Sequence, residues 1–179
     1  MGVDAKVKAV FLDRDGVLNK AIIIDRKPYP PKTENELEIL SGVVEGLIEL
    51  KKLGYLLIVI TNQPDVARGT TSKEAIDKIN NCLKSQLIID EIFCCFHDNS
   101  DNCDCRKPKP GMIFEAAKKW NIDLSSSFLV GDRWRDIETG KNAGIKSILI
   151  DCGYDEKYSK PDFTCIDFQG VVHIIKSMA

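Results

Sequence analysis

Short apolar runs alternate with amphipathic stretches between residues 7 and 150. Residues 55–60 (YLLIVI) are apolar throughout, the pattern of a strand buried on both faces of a parallel sheet. Residues 7–12 (VKAVFL), 91–96, 127–130 and 146–150 read as four further strands. The stretches between them follow a helical period. Val44, Leu47 and Ile48 form a stripe that Ser41 can cap and Gly54 can close. Thr71 and Glu74 have the spacing of a capping box ahead of Ile76, Ile79 and Leu83. Pro110 suits the first turn of a helix reaching about Trp120, and a fourth helix is predicted over 133–142, ended by Gly144. Pro28, Pro30 and Pro31 mark a proline-rich loop. This strand–helix alternation predicts an α/β fold: a Rossmann-like parallel sheet with helices on both faces. In such sheets ligands collect at the carboxyl ends of the strands.

Composition narrows the picture. A chain of 179 residues has the size of one domain with a sizeable core, and 1–179 is expected to form a single domain. Hydrophobic residues make up 44% and charged residues 29%, as in soluble globular proteins. The net charge of −2 gives no pull toward nucleic acid or anionic membranes. No apolar run reaches the roughly 18–20 residues of a membrane span, and the first residues lack the apolar core of a signal peptide. Cysteines number seven, and Cys94, Cys95, Cys103 and Cys105 crowd together. Without a secretion signal this points to reduced thiols or a metal site and to the cytoplasm.

Candidate chemistry falls at strand ends. The first strand runs into Asp13-Arg14-Asp15-Gly16, and two carboxylates straight after a buried strand call for a cation between them. D-x-D-G also occurs in turns and calcium loops, but Val17-Leu18 breaks the regular oxygen spacing of a calcium loop. The second strand ends in Thr61-Asn62-Gln63, where a hydroxyl and following N–H groups can hold phosphate oxygens. Another ends in Gly131-Asp132, with Asp136 four residues on, and Arg106-Lys107 can neutralise a phosphoryl group. Each signal alone is also met in ordinary turns and surfaces; their shared position at one sheet edge is what gives them weight. Cys95-x-His97 and Cys103-x-Cys105 supply three thiolates and an imidazole, a tetrahedral zinc set. Cys94 is a rival ligand, expected instead to pack inward, and Cys82, Cys152 and Cys165 read as small hydrophobes.

Taken together, FLDRDGVLN, ITNQ, RKPKPGM and VGDRWRD resemble the four motifs of the haloacid dehalogenase superfamily. The resemblance implies a magnesium-dependent phosphomonoester hydrolase that works through an aspartyl-phosphate. Asp13 would be the nucleophile, and Asp15 the general acid and base. Mg²⁺ would be held by Asp13, Asp132 and the main-chain carbonyl of Asp15. Thr61, Asn62 and Lys107 would bind the phosphoryl group, with Asp136 supporting them from behind. The intervals from Asp13 to Thr61 and from Thr61 to Lys107 leave no room for a folded cap, so a capless, open site is expected.

The C-x-H…C-x-C-R-K-P loop resembles one branch of that superfamily, the heptose bisphosphate phosphatases and the histidinol-phosphate phosphatases. There the Zn²⁺ is structural, and Arg106 would recognise the substrate beyond the transferred phosphate. Arg133 keeps the positive charge that heptose enzymes carry after the motif's aspartate. The expected partner is a small phosphorylated metabolite acted on by a monomer, first a heptose 1,7-bisphosphate losing its 7-phosphate. Histidinol phosphate is the alternative within the branch. A nucleic-acid-end phosphatase would need a basic, aromatic-lined groove, against the acidic balance and 7% aromatics here. A zinc-loop binding module without catalysis would lack Asp13, Asp15 or Lys107, and all three are present.

Overall fold

A computed structural model describes residues 6–178. It opens with β1 (Ala9–Leu12), the hairpin β2 (Ile22–Ile24) and β3 (Lys27–Tyr29), and α1 (Val43–Lys52). There follow β4 (Leu56–Asn62), α2 (Lys73–Gln86), β5 (Glu91–Cys95), α3 (Gly111–Trp120), β6 (Phe128–Gly131) and α4 (Trp134–Ala143). The chain closes with β7 (Lys146–Ile150), β8 (Phe163–Cys165) and α5 (Phe168–Met178). Six strands form one sheet in the order β5-β4-β1-β6-β7-β8, and every neighbouring pair is parallel. This is the expected α/β architecture.

Period-two alternation in β1 feeds two cores. Val10 and Leu12 pack with Leu47 and Leu50 of α1 and with Val171 and Ile175 of α5. Ala9 and Phe11 pack on the other face with Met112, Ile113 and Ala116 of α3. Full burial of a Leu, Ile or Phe side chain contributes about 1.5–3 kcal/mol, so helices on both faces hold β1 rigidly at the centre. The chain leaves β1 first toward β4 and β5 and later crosses back to β6 on its other side. That reversal makes the carboxyl end of β1 the natural ligand crevice.

The structure corrects several local expectations. Gly42, at φ 78°, rather than Ser41 precedes α1. Ser72 rather than Thr71 caps α2, its hydroxyl accepting from Ala75 N at 3.1 Å. Pro110 stands just before α3 rather than inside its first turn. The proline-rich loop is partly a hairpin: Asp25 and Arg26, with φ 48° and 62°, supply the two positive-φ positions of a tight turn. β8 and α5 lie beyond the last strand read from sequence. Cys95, not Cys94, is the fully buried cysteine of β5, because successive residues of a strand face opposite ways. Cys152 is exposed rather than packed as a hydrophobe. Among the described residues no helix is long and apolar enough to cross a membrane.

Candidate active site

Asp13 is the first residue past β1, where its N–H still donates to Val130 O at 2.9 Å and continues the ladder to β6. Lys107 reaches it from the loop before α3. Its Nζ lies 2.8 Å from Asp13 Oδ1 and 2.6 Å from Asp136 Oδ1, and donates to Ile60 O at 3.0 Å. All three ammonium donors are thus engaged, as burial of the group requires. Burial disfavours the cation, but the two carboxylates outweigh it and hold the pKa of Lys107 above the usual lysine range. Burial acts the other way on Asp13. It pushes the carboxyl up to about 6, with Lys107 opposing and Asp136 and Asp15 adding to the rise.

Asp132, straight after β6, completes the cluster. One oxygen each from Asp13, Asp132 and Asp136 lies within 4.8 Å of the others. Asp136 is occupied: besides Lys107 it accepts from Arg133 N at 3.2 Å. Both carboxylate oxygens of Asp132, by contrast, are buried without a hydrogen-bond partner. Burial, then repulsion from Asp13 and Asp136, raises its pKa well above the usual carboxylate range. A buried carboxylate in this condition is stabilised by a cation. Two hard oxygen donors, from Asp13 and Asp132, fit Mg²⁺. Gly16 makes the space: at φ +91°, a Cβ there would stand 1.9 Å from Asp132 Oδ2.

Asp15 is held by donors that the sequence pattern did not single out. Arg14 is fully buried, donating to both Asp15 oxygens and, through Nη1, to Asn80 Oδ1 at 2.8 Å. Asn19 Nδ2 and Gln63 Nε2 donate to Asp15 at 3.0 and 2.9 Å. Gln63 also donates to Thr61 Oγ1 at 3.0 Å, tying the end of β4 to the turn after β1. Asn62 lines the cleft beside Thr61. It donates to Lys107 O and accepts from Lys107 N, each at 3.1 Å, and so acts through the lysine's main chain.

Cys95, His97, Cys103 and Cys105 come together as expected. Their sulfurs are 3.1, 3.5 and 3.7 Å apart, and His97 Nδ1 is 3.3 Å from Cys105 Sγ. One zinc with Zn–S bonds of about 2.3 Å holds its ligand atoms at roughly this separation. Arg106 folds back on the same loop, donating to Asn99 Oδ1 at 2.8 Å and His97 O at 3.0 Å. Asp98 links the loop to the segment after β4 through a two-pronged pair with Arg68, which holds its carboxyl down to about 2.

A cleft of about 440 Å³ opens over Asp13 and Lys107. The hairpin forms one wall through Lys27 and Tyr29, and Trp134, Arg135 and Lys157 line it as well. Arg133 also lines it, paired with Glu156.

Comparison with known proteins bears on this geometry. A family model described as HAD-hydrolase-like matches residues 104–169. The D-glycero-beta-D-manno-heptose-1,7-bisphosphate 7-phosphatase of Helicobacter pylori is 37% identical over 175 residues, covering 94% of this chain and 98% of that protein. The D-glycero-alpha-D-manno-heptose-1,7-bisphosphate 7-phosphatase of Photorhabdus laumondii is 42% identical, over 83% of this chain and 85% of its own. The crystal structure of D,D-heptose 1,7-bisphosphate phosphatase from B. bronchiseptica, complexed with magnesium and phosphate, superposes with a TM-score of 0.82. It is 28% identical and covers 96% of this chain and 99% of that one.

Proposed function

The chain belongs to the haloacid dehalogenase-like hydrolases and is a phosphatase, and on that premise we propose that it removes the 7-phosphate of a heptose 1,7-bisphosphate. The observation that carries the reading is the pairing of Asp13, neutralised by Lys107, with Asp132, whose two buried oxygens lack a partner. Asp13 attacks phosphorus in line, the bond to the sugar oxygen breaks, and Asp15 gives that oxygen its proton. Water activated by Asp15 then attacks the aspartyl-phosphate, releasing phosphate and free Asp13. For both steps Asp15 has to exchange its contacts with Arg14, Asn19 and Gln63 for contacts with substrate and water. Lys107 and Thr61 hold the phosphoryl oxygens. Asp13, Asp132 and the Asp15 carbonyl would hold Mg²⁺, which would supply positive charge where an anionic nucleophile meets an anionic ester. Thiols kept reduced for a metal cluster at Cys95, Cys103 and Cys105 fit a reducing compartment, and the cytoplasm is the compartment proposed.

Initial rates in Mg²⁺ across heptose 1,7-bisphosphates of both anomers, other sugar phosphates and histidinol phosphate test the reading. The highest kcat/KM is expected for a heptose bisphosphate, with phosphate released from carbon 7. Preference for histidinol phosphate would overturn the substrate.

Zinc at the four-ligand cluster is part of the same proposal. Three thiolates and an imidazole leave no open position, so the ion would clamp the loop rather than activate water. Its last ligand, Cys105, adjoins Arg106 and Lys107. One equivalent of zinc is expected in protein purified without chelator. Cys103→Ser should lose it, raising KM and lowering kcat together while the fold persists. Unchanged kinetics in zinc-free Cys103→Ser protein would show that the clamp positions nothing.

A further inference from the structure

Four arginines, Arg68, Arg106, Arg133 and Arg135, line one cleft with the acidic cluster. Three of them have partners. Arg68 is paired with Asp65 and Asp98, Arg106 is tied to Asn99 and to the carbonyl of His97, and Arg133 is paired with Glu156 through Nη2 while its Nε stays buried without a partner. Arg135 has no carboxylate within ion-pair distance among the described residues. Its guanidinium lies over the Trp134 ring, 5.2 Å from the centroid, and Lys157 Nζ lies over the same ring at 4.6 Å. Arg135 also sits in the first turn of α4, where the helix dipole disfavours a cation. Burial and the charges of Arg106 and Arg133 lower its pKa, with only partial compensation from Glu156 and Asp136. A half-buried cation among like charges at this end of a helix is stabilised by an incoming anion.

Resting on the phosphatase reading above, we propose that Arg135, laid on Trp134 beside Lys157, is the specificity-determining contact to the second, untransferred phosphate of a sugar bisphosphate. Lys107 and Thr61 hold the phosphate that reacts. The same cleft is lined by Asp13 and by Arg135, so one sugar carrying two phosphates spans both. The guanidinium offers a planar, two-pronged donor set to phosphate oxygens, and Trp134 fixes its plane.

The test compares Arg135→Gln and Arg135→Lys with wild type on two matched pairs. These are heptose 1,7-bisphosphate against heptose 7-phosphate, and fructose 1,6-bisphosphate against fructose 6-phosphate. Arg135→Gln should raise KM for the preferred bisphosphate about 10- to 100-fold. Its kcat should stay within about twofold and its monophosphate kinetics should not change, since the chemical machinery is untouched. Arg135→Lys should recover part of the loss, and Lys157→Ala, on an exposed loop, should give a smaller KM rise of the same kind. Equal losses on bisphosphate and monophosphate would make Arg135 structural and overturn the proposal. So would an unchanged bisphosphate KM, or a wild-type enzyme with no preference for either bisphosphate. Wild type that ignores the heptose pair but prefers fructose 1,6-bisphosphate sinks the heptose reading alone, and the fructose pair then decides Arg135.

Discussion

Asp13→Asn abolishes turnover: kcat is expected to fall on the order of 10⁴–10⁶-fold, the scale of removing a covalent nucleophile. The amide is nearly isosteric with the carboxylate. Lys107 keeps its contacts to Asp136 and Ile60 O, so the loss is chemical rather than structural. Folding stability without added metal should hold or rise, because burial already pushes the Asp13 carboxyl up to about 6 and disfavours its charge. Two measurements separate this from a general loss of the site. Acid quenching with phosphate-labelled substrate should trap labelled wild-type protein and none of the variant. Thermal melting should show a Mg²⁺-dependent rise in wild type that shrinks in the variant, since one of two carboxylate ligands is gone. Turnover within tenfold of wild type would remove Asp13 from the reaction.

The carboxylates proposed for catalysis and metal binding, Asp13 and Asp132, are legible in the sequence because each stands directly after an apolar run. Asp13 follows β1 and Asp132 follows β6, so strand recognition alone brings them to one sheet edge. The Cys95, His97, Cys103 and Cys105 cluster is legible because three thiols and an imidazole on either side of a short polar segment have few other uses. What holds these groups in place is much less visible. Arg14 reads as the spacer of a D-x-D motif, yet it is buried and reaches Asn80 in α2. Gln63 reads as the end of a strand motif, yet it joins Asp15 to Thr61. Such contacts couple residues far apart in the chain and leave no local period. Arg106 and Arg133 have the charge expected of substrate contacts, but charge does not reveal that His97 O, Asn99 and Glu156 already engage them. The hairpin is hidden for a different reason. Pro28 breaks the strand signal, and Asp25-Arg26 is not a turn pair that sequence marks strongly. β8 has three residues, too few to display alternation.

Lys107→Met should damage activity and stability together, and the stability deficit should grow with pH. The ammonium is the shared partner of Asp13 and Asp136, and it is 3% exposed. Removing one member of a buried ion pair costs about 3–5 kcal/mol, because the charges left behind have neither water nor a partner. Lys107 also pulls the pKa of both Asp13 and Asp132 down against burial, so without it both rise further. A carboxyl whose folded pKa lies above its unfolded value of about 3.9 keeps its proton in the folded state after the unfolded chain has lost it. Stability therefore falls as pH rises from that unfolded value up through the folded one. For Asp13 in the wild type this decline ends near its folded value of about 6; in the variant it continues to higher pH. Urea melts of both proteins in EDTA at pH 5 and pH 8 should show the larger deficit at pH 8. Mg²⁺ should narrow it at pH 8 by taking over part of the neutralisation. Turnover with Mg²⁺ should still be down by about 10²–10³-fold, the usual effect of losing one fixed partner of a developing charge. A deficit equal at both pH values would mean that Lys107 serves by packing alone, and its charge would then have no part in setting the state of Asp13.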